Sequence, residues 1–179
     1  MTAMNGTRLH EFSRAVALEL PAAELAHPFG PEWDVFRVVG KMFMLHHRLP
    51  DHGAKDIAAP GGTGIIVVKA EPGDAHALRQ AHPFIFPGYH LNKKHWITVI
   101  APGEVASAGT GAGAVVSANT ARTPEGEARP TPTGIPACFD DAAFEQLVRE
   151  LVVDSYRNVV LGLPKAKRPV DPMRFGSES

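Results

Sequence analysis

The sequence predicts an α+β fold in which antiparallel strands lie between a helix near each end of the chain. Two patterns predict it: apolar residues recur at helical spacing in the first and last thirds, and the middle holds short runs of branched and aromatic residues separated by glycine and proline. Length adds a third argument. With 179 residues, 44% hydrophobic and 21% charged, the chain has the composition of a single globular domain.

Leu9, Phe12, Val16 and Leu20 recur at helical spacing and Pro21 stops the pattern, so Thr7 to Leu20 is predicted as an amphipathic helix with one face on a sheet. After the turn-like "HPFGPEW", "DVFRVV" and "KMFMLHHRL" read as two strands closing a tight hairpin at Gly40, each packed on one side only. A breaker-rich loop, "PDHGAKDIAAPGG", leads to "TGIIVVKA", whose unbroken apolar run predicts a central strand. Pro72 and Asp74 open a short helix through Gln80, which Pro83 ends.

"HWITVI" is a further strand, with Trp96 expected to face the core. Residues 102 to 134 are small and polar and are expected to be a disordered insertion, because they offer almost nothing to bury. The last helix is capped by Asp140 or Asp141 and carries Phe144, Leu147, Val148, Leu151, Val152, Tyr156, Val159 and Val160 on one face. Gly162 and Pro164 stop it. A single domain is expected over residues 1 to 167, with 168 to 179 as a flexible tail.

Composition excludes several functions. No apolar run is long enough to span a bilayer, and the start lacks a secretory pattern, so a cytoplasmic protein without membrane contact is expected. Cys138, the only cysteine, can form no internal disulfide, and the aspartates beside it oppose a reactive thiolate. The net charge is -1, yet residues 34 to 100 hold eight Lys/Arg against five Asp/Glu and seven of the nine histidines. Any electrostatic footprint lies in that middle segment. The glycines of "GGTG" precede a strand and do not open a helix, so they are no phosphate cradle. His46, His47 and His52 read as surface histidines, since neighbours on a strand point to opposite faces and cannot share one metal. No spacing forces a catalytic pairing, and neither an enzymatic activity nor a cofactor is expected.

The stretch "PGYHLNKKHWITVI" stands out. Pro87-Gly88 is a turn pair, Asn92 tolerates the left-handed conformation, and Lys93-Lys94 sit where the chain re-enters the sheet. The turn is either a solubilising corner or a finger for phosphates.

"HPFGPEWDVFRVVGKMFML", "PGYHLNKKHWITV" and "SYRNVVLGLPK" resemble, in order and spacing, the signature segments of the MmcQ/YjbR-like family of small bacterial proteins. The resemblance covers roughly residues 7 to 101 and 138 to 167. It implies a two-layer α/β sandwich similar to the CyaY/frataxin-like fold, with helices on one face of an antiparallel sheet. It also implies double-stranded DNA binding through two β-hairpin wings without enzymatic activity. By motif the wings fall on the hairpin of Arg37 and Lys41 and on the turn of His90, Asn92, Lys93, Lys94 and His95. The chain departs from the family pattern in the insertion from Pro102 to Gly134 and in its low overall charge. Frataxin-like proteins bind iron through an acidic ridge, but the first helix here offers only Glu11 and Glu19, so no metal is expected. A monomer is favoured. The second function class kept in view is a protein- or small-molecule-binding module that uses the sheet face. Protonation of the seven central histidines is expected to strengthen DNA binding at acid pH.

Overall fold

A computed structural model describes residues 4–106 and 140–174. Helix α1 (Gly6–Glu19) is capped by Asn5, whose side chain accepts from the Arg8 N–H, and it buries Leu9, Val16 and Ala17. Strands β1 (Ala23–Ala26), β2 (Asp34–Val38), β3 (Lys41–Arg48) and β4 (Gly64–Lys69) follow, then helix α2 (Pro72–Ala81). Strands β5 (Ile85–Pro87) and β6 (Trp96–Ile100) complete a six-stranded antiparallel sheet in the order β1-β2-β3-β4-β6-β5. Helix α3 (Asp141–Leu161) is capped by Asp140 and ends at Gly162.

Strand β4 is central, as its apolar run predicts, and five of its six residues are buried. Strands β1 and β5 went unpredicted. Each is four residues or fewer, too short for alternation to declare itself, and each is an edge strand paired to one neighbour. At the β2–β3 turn both central residues take positive φ, 48° at Val39 and 73° at Gly40, the geometry that matches the twist of a two-residue hairpin.

The expectation that β2 and β3 pack on one side only is overturned. On the helix side lie Phe36, Met44, His46, Ile66, Val68, Ile97 and Val99, with α1 and α3 over them; Leu45, Val67, Ile65, Thr98 and Ile100 alternate to the other side and are also buried. Loops close that second face. Ile57 is buried, the Ala106 N–H donates to the Ala58 carbonyl, and the Tyr89 N–H donates to Thr98 Oγ1 across it. The first residues of the expected insertion thus belong to the fold, with a helical turn at Pro102–Glu104, whereas residues 107–134 and Cys138 lie outside the described residues. The expected tail is tied down in its first part: the Arg168 guanidinium donates to the Leu163 and Leu161 carbonyls, and Arg157 Nε donates to the Pro172 carbonyl.

Helix α1 docks on β4 where two glycines meet. A Cβ on Gly64 would stand 2.8 Å from the Gly6 carbonyl oxygen and 2.9 Å from its Cα. Gly64→Ala is therefore expected to push α1 off the sheet at a cost of about 1–3 kcal/mol, visible as a lower denaturation midpoint with an unchanged m-value.

Candidate functional site

The register places the β2–β3 turn and the two ends of the β5–β6 connection at one end of the sheet, while Tyr89 and His90 within that connection reach back toward Trp33. Lys41 pairs with Val38, Met44 with Val68, Lys69 with Trp96, and the β5–β6 connection leaves at Pro87 and returns at Trp96. The β2–β3 turn and the ends of that connection are separated by three strand spacings, about 14 Å. α3 reaches the same end, where Ser155 Oγ accepts from the Lys69 N–H and donates to the Phe43 carbonyl.

The individual residues differ from expectation in instructive ways. Lys41 and Lys94 are exposed, and no ion pair among the described residues engages either. Arg37 is half-buried opposite Glu24. Lys93 is exposed but paired with Asp56 of the covering loop, and that lysine holds the Asp56 carboxyl below its ordinary value, so the charge at Lys93 is already matched. Positive φ falls on His90, at 54°, and not on Asn92. Asn92 works through its side chain, accepting the Lys94 N–H at 2.9 Å, while its carbonyl accepts from His95 and Trp96. His90 is exposed, and His95 and Trp96 are half-buried, so Trp96 lies beside the core and not within it.

Sequence reasoning missed a second cluster at the opposite end of β2 and β3. Trp33 stacks on His47 with ring centroids 3.7 Å apart, and Tyr89 lies nearly parallel to both at 6.4 and 5.9 Å. On the helix side His10 stacks on His46 at 4.5 Å. The reading of His46 as a surface histidine is corrected: it is 2% exposed and its Nε2 lies 2.9 Å from Ser13 Oγ. Burial, with His10 and Arg14 nearby, holds its pKa well below the ordinary histidine value, and burial lowers His10 and His82 as well. His46 and His47 do point to opposite faces, as strand geometry requires. The one available signal was "HPFGPEWD", whose aromatic and acidic residues had no place in a plain turn.

Among the described residues no three His, Cys, Asp or Glu side chains come together as a metal site, and no helix is long and apolar enough to cross a membrane. The sheet face expected to serve a binding module is occupied on one side by helices and on the other by loops.

The wing pair, the closed sheet and the two ordered turns can be set beside known proteins. The profile of the YjbR family matches residues 18–112, more than half of the chain. The chain belongs to the YjbR family. This YjbR chain is 46% identical over 101 residues to the uncharacterized protein YbdF of Escherichia coli O157:H7, covering 56% of this chain and 73% of that one. A Deinococcus radiodurans protein with a DUF419 domain, known from a crystal structure, superposes with a TM-score of 0.55 at 28% identity, covering 93% of this YjbR chain and 92% of its own. The α+β sandwich implied by the sequence is thereby shared with a solved relative.

Proposed function

We propose that this YjbR protein is a non-enzymatic, largely sequence-independent binder of double-stranded DNA that uses the two turns at the wing end. The observation that carries the reading is their spacing. The β2–β3 turn and the ends of the β5–β6 connection, about 14 Å apart, can reach phosphates on either side of a major groove about 12 Å wide. Arg37 and Lys41 flank one tip and Lys94 stands on the other, with Lys69 half-buried between them. Val39 supports the same reading. A β-branched residue at φ 48° is strained, asparagine or glycine would suit that turn better, and Val39 is 41% exposed, so stability does not explain its presence. Glu24, Glu71 and Asp154 near the same end keep the net field small, so binding is weak and strongly salt-dependent.

Fluorescence anisotropy of a labelled duplex across several salt concentrations tests this. Lys41→Ala combined with Lys94→Ala is expected to flatten the plot of log affinity against log salt by about 1.8, the loss of two phosphate contacts, without changing base preference. Asp56→Asn is expected to strengthen binding by releasing Lys93. A double variant with the wild-type slope, or a wild-type protein that fails to bind at low salt, would sink the proposal.

A further inference from the structure

A cleft of about 670 Å³ opens between α1 and the far ends of β2 and β3, lined by His10, Glu32, Asp34, His46, Arg48 and Asp51 among others. At its wall His46 Nδ1 is buried and has no hydrogen-bond partner. Its chemical state follows from its neighbours. Ser13 Oγ donates its hydrogen to the Leu9 carbonyl at 2.6 Å, so toward His46 it can only accept, and the ring proton sits on Nε2. Nδ1 is then a bare lone pair. His10 Nε2 lies 2.9 Å from the Ile65 carbonyl and must donate to it, which leaves the neutral ring of His10 with a bare Nδ1 as well. Two neutral rings can stack as these do, whereas two imidazolium cations would repel. Burial keeps His46 neutral through physiological pH.

Asp34 completes the arrangement. Its Oδ1 accepts from His27 Nε2 at 2.9 Å, while Oδ2 stands 3.9 Å from His46 Nδ1, too far for a hydrogen bond between them. An atom about 2.8 Å from both would subtend an angle near ~90° and would have to donate to each. Three carboxylates line the cleft against one guanidinium, that of Arg48, which donates to the Gly62 carbonyl and to Thr7 Oγ1. The occupant therefore donates at least twice, and the excess of carboxylates favours one that carries positive charge; an ammonium group meets both conditions. We infer that this cleft binds a small primary amine as its ammonium ion, seated between His46 Nδ1 and the Asp34 carboxylate. The site lies at the end of the sheet away from the β2–β3 turn and does not depend on DNA binding.

Titration calorimetry of the full chain with n-butylammonium tests it, with tetramethylammonium as a cation that cannot donate and n-butanol as a neutral chain of similar length. Only n-butylammonium is expected to bind, and Asp34→Asn should weaken it at least about tenfold, the loss of a charged hydrogen bond. Nitrogen-15 spectra of the wild-type histidines should show an Nε2-protonated His46 whose Nδ1 resonance moves on adding the amine. That readout stays decisive if Asp34→Asn loses its fold. Equal binding of tetramethylammonium, tighter binding of Zn²⁺, or an Nδ1 resonance that does not move would overturn the assignment and leave the lone pair to a water molecule.

Discussion

Tyr156→Ala is expected to lower stability by about 3–5 kcal/mol, the usual cost of truncating a large buried aromatic residue. The ring is 0% exposed and meets Phe43 edge to face with centroids 5.5 Å apart, joining α3 to β3. Its hydroxyl donates to the Pro21 carbonyl at 2.6 Å, which fixes the chain where α1 hands over to β1. Truncation therefore opens a cavity and also leaves that carbonyl without this donor. Chemical denaturation of Tyr156→Ala beside Tyr156→Phe separates the two effects. The phenylalanine variant should lose about 1–2 kcal/mol for the hydrogen bond alone, and equal losses in both variants would show that the ring contributes no packing.

Acidification from pH 7.5 to 5.5 is expected to lower stability, by at most about 3 kcal/mol. The sign follows from which state binds more protons. Burial lowers the folded pKa of His46 and His10, whereas in the unfolded chain both return to about 6.5. Below that value the unfolded state binds the extra protons, so stability falls as pH drops through about 6.5 and stops falling only at the folded pKa values. A ring that stays neutral throughout accounts for about 1.4 kcal/mol over this interval, which is the ceiling for each of the two, and the more deeply buried His46 comes nearer to it. Urea denaturation at the two pH values measures it, and His46→Gln should remove His46's share of the pH dependence. A denaturation midpoint equal at both pH values would show that the two rings protonate within the fold.

The same burial changes the expectation that acid strengthens DNA binding. His46 cannot supply charge, because it lies under α1, and burial also lowers His82. Acid is also expected to loosen the protein that would bind.

Much of the fold was legible because burial writes itself into spacing. The stripe on α3 from Phe144 to Val160, the Gly40 hairpin, the central position of β4 and the Asp140 cap each rest on residues within a turn or two of one another, where backbone geometry alone ties sequence to direction. The order of the wing motifs along the chain was legible for the same reason. What the sequence could not decide is every feature set by residues far apart. Pairing of Lys93 with Asp56 and the stacking of Trp33, His47 and Tyr89 join residues 14 to 56 apart, and the loops that close the second sheet face likewise bring distant segments such as Ala58 and Ala106 together. The His10–His46–Ser13 contact is the sharpest case. One strand histidine alternates to the surface and its neighbour inward, but which of the two is buried depends on where α1 lands. The close approach of Gly6 to Gly64 sets that position, and only the folded chain brings those two glycines together.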